Sequence, residues 1–353
     1  MRKQFIYSFA SKFVIFHFCY TELVCSAILR DFQELVQSQR VAKGSISYNS
    51  PGGLGNTLQS LQTAFSVAYL QGRPFVEPRP GRFLKDKIFS RYFTWPSQLL
   101  PAPQSSSVAT TITLDDNDGW RKISHLKEHT SYVISTCSLF DPSSVLQRQP
   151  PLLTEILSLP TEHTKHLISG KLAEVGWREP GCFKVGVHIR SFMREFRAIK
   201  AWHVIAEFKR QGWDKLISAQ VDCALNSAKQ LSGRICYHIA SDDISLVRPI
   251  VEAHELASSR NVVISFEKEG KLKHSAKHLT AEEEDSTMSE WLVLGEGDIL
   301  FGTGTSFSQT AANRTGIPLR RLPYKDYWGC EAVQAEDIEN SKAARRRGSR
   351  GWW

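Results

Sequence analysis

The apolar positions of the chain repeat with two periods, and the switch between them outlines its elements. Around residue 183 the period is two. Phe183, Val185, Val187 and Ile189 alternate with Lys184, Gly186, His188 and Arg190, as on a pleated strand. His188 and Arg190 therefore share one side, roughly 6–7 Å apart along the chain. Nearer the N-terminus the period is helical: Leu54, Leu58, Leu61, Phe65 and Ala68 form one stripe. A short strand over 44–49, with Ile46 and Tyr48 on one face, precedes that helix. The glycine-rich turn 51–56 joins the two, Gly72 is a suitable stop, and Pro74-Phe75-Val76 starts a further strand. The order strand, glycine loop, helix, strand is one βαβ unit.

Residues 77–127 show little periodicity and predict loops and short helices. A strand follows over 131–136 and a helix over 163–177, with four prolines between them at 142, 150, 151 and 160. The domain junction is placed within 141–180. The second half alternates more plainly. Strands are expected at 183–190, 235–241, 262–266 and 298–303. Helices are expected near 200–210, 214–231, from about 243, at 287–295 and from Ser306, with a loop or helix through 282–285. Such alternation predicts a parallel sheet with helices on both faces. The fold class is thus α/β, with an N-terminal unit over 28–175 and a C-terminal unit over 176–330.

Length allows this, since 353 residues suffice for two domains with cores of their own. Charge narrows the partners. The net charge is +8, but the tail 341–353 contributes +5 and the first 27 residues +2, leaving +1 for the body. A near-neutral body argues against a broad nucleic-acid surface and leaves room for a small diphosphate pocket. The tail 331–353 reads as a basic, disordered extension. Residues 1–27 carry a basic start, a short apolar run broken by His17 and Glu22, and Cys25-Ser26-Ala27 at a possible cleavage point. They read as a signal peptide or weak anchor, placing the protein in the secretory pathway, Golgi or ER lumen. The alternative is an N-terminal helix of a cytoplasmic protein. The seven cysteines include no CxxC pair, which disfavours a zinc or thioredoxin-like site. Those beyond residue 27 form one or two disulfides or remain buried thiols. Asp115-Asp116-Asn117-Asp118-Gly119 lacks the downstream Glu of a calcium loop and reads as a solvated turn.

The chemistry gathers at strand ends. One strand ends in His188-Ile189-Arg190, the next in Ser241-Asp242-Asp243, and the last in the Gly/Thr/Ser turn before Ser306. In an open parallel sheet such carboxyl ends line one edge, where ligands bind. Arg190 and a helix N-terminus at 305–308 suit a diphosphate. A carboxylate such as Asp242 suits a base edge or a ribose hydroxyl. Each end also has a purely structural reading, with Asp242, Ser306 and Ser308 as helix caps and Arg190 as a surface ion pair. The GGLGN turn is equally a tight βα connection.

Taken together, Gly52-Gly-Leu-Gly-Asn56, Val185–Arg190, Tyr237–Asp243 and Gly302–Ala312 resemble the fucosyltransferases that use GDP-fucose. These comprise the α-1,2, α-1,6, bacterial nodulation and protein O-fucosyltransferases. The resemblance covers about residues 44–320. It implies a GT-B architecture, two Rossmann-like domains facing across a cleft, with the donor held by the C-terminal one. It implies inversion at the fucose carbon without an essential metal or other cofactor, and a glycan or glycoprotein acceptor. Arg190 would neutralise the diphosphate and His188 would sit beside it or orient its loop. Asp242 would contact guanine or ribose. Thr305, Ser306 and Ser308 would close around the phosphates, and Gly53, Gly55 and Asn56 would line the cleft from the other domain. The α-1,6 group has a second Arg where this chain has Ser191, and an acid shortly after. Glu195 is the nearest carboxylate here and the candidate general base, with an ion pair to Arg194 or Arg197 as its structural alternative. The same fold with another nucleotide sugar, or a non-catalytic glycan- or nucleotide-binding relative, are the competing readings.

Overall fold

The computed structural model describes residues 44–49, 53–77, 87–96, 109–113, 130–135, 152–191, 212–229, 233–267, 279–323 and 336–340, with a few single positions between them. Two parallel sheets organise the chain. The first holds β1 (Ile46–Asn49), β2 (Thr110–Thr113) and β3 (Tyr132–Ser135) in the order β1-β3-β2. The second holds β4 (Cys182–Ile189), β5 (Arg234–Ser241), β6 (Val262–Phe266), β7 (Ile299–Gly302) and β8 (Leu319–Arg321) in the order β6-β5-β4-β7-β8. This is the α/β class expected, with a parallel sheet in each half.

Helix α1 (Leu54–Gln71) follows β1 and ends at Gly72, whose φ of 58° is left-handed and suits glycine. Its apolar stripe Leu54, Leu58, Leu61 and Phe65 is buried, but so are Thr57, Gln59, Ser60, Gln62 and Thr63 on its other sides. The reason is packing on two fronts: α1 lies on the first sheet and also against α7 (Ser306–Thr315) of the second half. Further helices are α2 (Leu152–Ile156), α3 (Glu162–Glu174), α4 (Trp213–Ser227), α5 (Ile244–Glu252) and α6 (Ala281–Gly295). On one face of the second sheet Val185, Val187 and Ile189 pack with Leu216, Val221 and Val247 of α4 and α5. The opposite face meets α6, where a side chain at Gly186 would strike Leu294 and Leu300. One core cluster runs from Leu54 and Phe65 through Leu153 and Ile168 to Trp291, Leu294 and Ala311, so the two halves share it. Helices α2 and α3, expected with the N-terminal half, pack on α7 and α6 respectively.

Several expectations change. Pro74-Phe75-Val76 makes only an isolated bridge, Ile46 to Phe75, rather than a strand. Pro78, two residues on, has no N–H to continue a ladder. Thr110–Thr113, expected to be loop, is a strand; its β-branched run was the available signal. Residues 282–285 belong to α6, which is one helix, closed at its start by a capping box between Thr280 and Glu283. The two disulfides Cys182–Cys236 and Cys223–Cys330 account for four of the five cysteines beyond residue 27. The first ties β4 to β5. Among the described residues no helix is long and apolar enough to cross a membrane. The expected leader, the 115–119 turn, the helix at 200–210 and the tail beyond residue 340 lie outside the described residues. The earlier part of the expected disordered tail, 336–340, is instead helical, with buried Asp337 holding Arg320 of β8.

Candidate functional site

The three strand ends that carry chemistry are neighbours. His188 pairs in register with Ala240 on β5 and with Gly302 on β7, so β4 runs between those two strands. All are parallel, and their carboxyl ends share one edge. Strand alternation sends Val187 and Ile189 to the α4/α5 face and His188 to the α6/α7 face.

His188 is buried, 3% exposed, with its Nδ1 3.5 Å from Thr305 Oγ1 and its ring 5.0 Å from that of Phe307. Its pKa is pushed down to about 3, first by burial and then by the neighbouring Arg190 charge, against an upward pull from Glu290. A neutral imidazole locked on the Thr305 turn orients that loop. It does not supply a cation to phosphate.

Arg190 follows directly after β4. Its Nη1 stands 3.6 Å from Asp242 Oδ2, and the other oxygen of Asp242 accepts a hydrogen bond from the Ser191 backbone N–H at 2.6 Å. Both side chains are largely buried. Asp242 thus grips the chain on either side of the Arg190 carbonyl and aims the guanidinium. This bracing stands beside the base or ribose contact that the resemblance implies for Asp242. The turn holding Asp242 is itself braced. Glu267, buried after β6, accepts from the Ser241 N–H at 3.2 Å, and Ser241 Oγ accepts from the Asp243 N–H at 3.2 Å.

The third component is a pair of helix N-termini. Ser306 Oγ donates to Asn56 Oδ1 at 2.5 Å, and one turn further Gln59 Nε2 donates to Gln309 Oε1 at 3.0 Å. Matching steps of three along both helices mean that α1 and α7 run side by side in the same direction. Their positive N-terminal ends therefore coincide. Gly55 makes this contact possible, since a side chain there would come within 2.5 Å of the Phe307 backbone nitrogen. Gly302 does the same for Ser308, whose Oγ would lie 2.6 Å from an added Cβ. Ser308 is fully buried and donates to the Thr305 carbonyl at 3.1 Å, a cap within its own turn. Gly53 precedes α1 and its carbonyl accepts from Thr57 N–H at 3.0 Å.

The structure therefore brings together Arg190, His188, Asp242, Thr305, Ser306, Ser308, Gly55 and Asn56 at one edge. Glu195 and Gly52 lie outside the described residues. Sequence reading did not single out Glu267 or Phe307, which meet the site only through folding. It also did not single out a buried ionic group behind it. Glu290 of α6, fully buried, takes His238 Nε2 at 2.6 Å and Lys171 Nζ at 2.5 Å. Burial pushes the Glu290 carboxyl up, but the two partners outweigh it and hold it below the usual carboxylate range. Among the described residues no cluster of three or more His, Cys, Asp or Glu could hold a metal ion. The arrangement can bind an anion. The Arg190 guanidinium, just past β4, lies at the same sheet edge as two helix N-termini, whose first-turn N–H groups have no partner within their own helix.

In fold the chain resembles a mutant of Arabidopsis thaliana FUT1 whose structure was determined in complex with GDP. The TM-score is 0.56 at 13% identity, over 85% of this chain and 79% of that one. A lesser likeness is to the fucosyltransferase NodZ from Bradyrhizobium, with a TM-score of 0.48 at 13% identity, over 80% of this chain and 95% of that one. No family profile and no curated protein sequence matches the chain. The shared architecture is GT-B-like, with two parallel sheets.

Proposed function

We propose that this chain is a glycosyltransferase that transfers fucose from GDP-fucose to a hydroxyl of a glycan or glycoprotein. The observation that carries the proposal is the convergence of Arg190 and the coincident N-termini of α1 and α7 on one edge of a parallel sheet. Its support is the four motifs that match the GDP-fucose enzymes in order, together with a fold shared with an FUT1 bound to GDP. The donor diphosphate would sit between Arg190 and the 305–308 turn. As the bond to fucose breaks, negative charge grows on the leaving GDP. Preorganised donors stabilise that charge without reorganising, which is the task a divalent cation performs elsewhere, so the reaction is proposed to be metal-independent.

Attack by an acceptor hydroxyl from the side opposite GDP inverts the anomeric carbon in one displacement. The proton of that hydroxyl needs a base, and Glu195 is the candidate. His188, already neutral, has the role of fixing the Thr305 turn rather than of exchanging protons. Two disulfides fit an oxidising compartment, in keeping with action in the Golgi or ER lumen.

The test is calorimetric titration of the purified protein with GDP-fucose, GDP and UDP, followed by measurement of GDP release with and without chelator. Binding of GDP but not UDP, with chelator-resistant release, is expected. Preference for UDP would overturn the donor. Loss of release on chelation would overturn metal independence. Tight GDP binding with no release on any acceptor mixture would make the chain a non-catalytic binder.

A further inference from the structure

The proposed donor edge is short of positive charge on the β4 side, because Arg190 stands beside Asp242 and Ser191 is neutral and buried. A nucleoside diphosphate brings about two to three negative charges. The topology supplies a second cation from the other end of the edge. β8 pairs in parallel with β7, with Arg321 opposite Gly302, and Gly302 is in turn opposite His188. Paired residues of parallel strands point to the same face. Arg321 therefore leaves the sheet on the side of His188 and the α7 N-terminus, not on the α4/α5 side. Two strand spacings put it roughly 9–10 Å from His188 at the backbone, within reach of a long side chain.

Its guanidinium is in fact drawn toward the site. Nε of Arg321 lies 3.7 Å from where a Cβ of Gly304 would stand. Gly304, with φ 73°, is the left-handed corner that turns the chain from β7 into α7. The Leu322 N–H donates to the Gly302 carbonyl at 2.9 Å and fixes the backbone just past Arg321. Arg320, its neighbour, points to the opposite face and is held by Asp337 at 2.5 Å and 3.0 Å. Arg321 itself is exposed at the edge. The dipole of α7 disfavours a cation at this end, so an anion bridging the guanidinium and the helix N–H groups gains from both.

We propose that Arg321 is a second diphosphate-binding residue, which contacts the terminal phosphate of the nucleotide across the Gly304 turn from Arg190. The inference rests on the nucleotide-sugar reading above and deepens it. It predicts a ligand signature. GMP, which lacks the second phosphate, should not need Arg321, whereas GDP should.

The experiment measures GDP and GMP affinities by calorimetry for the wild type, Arg321→Ala and Arg321→Lys. Arg321→Ala should weaken GDP about tenfold and change GMP less than twofold, so that the preference for GDP over GMP collapses. Arg321→Lys should recover part of it, because a point charge replaces the fork. Equal melting temperatures will show that these exposed substitutions leave the fold intact. If wild type binds GDP and Arg321→Ala binds it equally well, or if GDP and GMP weaken alike, Arg321 has no part in the terminal phosphate site. If wild type binds no GDP, the nucleotide reading itself falls, and this inference with it.

Discussion

Asn56 Oδ1 accepts a hydrogen bond from Ser306 Oγ at 2.5 Å, joining the first turn of α1 to the first turn of α7 across 250 residues of chain. This bond, with the Gln59–Gln309 pair behind it, sets the two helices in register. The site is built around the junction. Gly55 allows the approach, because the Phe307 backbone occupies the space a side chain would need.

Gly55→Ala should therefore act as an overpacking substitution against backbone, which cannot swing aside. A loss of about 1–3 kcal/mol is expected, measured by urea unfolding, together with weaker anion binding at the 305–308 turn. Retained stability with unchanged binding would show that the helix junction tolerates separation.

Acid should weaken the fold through His188. A histidine whose native pKa is about 3, against about 6.5 when unfolded, binds fewer protons folded than unfolded between those values. Its contribution is present above about pH 6.5 and is lost as pH falls toward 3, with a slope approaching 1.4 kcal/mol per pH unit. His188→Asn removes the titration. Its stability curve, compared with wild type by chemical unfolding from pH 7 to 4, should be flatter over that span.

Asp242 and Arg190 should behave as one unit in nucleotide binding. Each alanine substitution alone is expected to weaken GDP about tenfold or more. The double variant should lose little beyond the worse single one, because aiming and gripping are steps of one interaction. Additive losses in a double-mutant cycle would instead give Asp242 a contact of its own with the ligand, as a base or ribose partner.

Glu290→Leu should be costly although it adds apolar surface. It leaves Lys171 and His238 without their shared carboxylate in the interior. Breaking such a buried pair from one side typically costs about 3–5 kcal/mol, which a shift in thermal midpoint will report. The loss should be larger than that of Glu255→Ala, whose pair with Lys229 is on the surface.

Reduction of the disulfides should lower stability further. Cys182–Cys236 and Cys223–Cys330 close sequence separations of 54 and 107 residues, and removal of a native bridge typically costs about 2–5 kcal/mol. Unfolding in the presence of a strong reductant checks this. No change in the midpoint would make both bridges dispensable.

Much of this protein could be read directly from residue order. The two-residue period of Phe183–Ile189 and the helical stripe of Leu54–Ala68 are local signals, because side-chain direction follows from backbone geometry alone. Strand–helix alternation likewise required the parallel sheet, and with it the alignment of the Arg190, Asp242 and Ser306 ends. The weak points were also local in origin. Thr110–Thr113 has little apolar content, and Leu319-Arg320-Arg321 looks like a charged loop. Both are strands only because a neighbouring strand offers them a ladder.

Tertiary structure decided the rest. It made Asp242 a partner of Arg190, placed Gly55 against Phe307, set Glu267 under Ser241 and brought Arg321 to the Gly304 turn. It also revealed why α1 buries polar residues all round, a feature that contradicts an amphipathic reading until α7 is seen on its other side. The physical reason is the same in each case. Periodicity records which way a side chain leaves its own backbone, whereas a charge's partner, a glycine's neighbour and the second face of a helix belong to chain segments tens to hundreds of residues away.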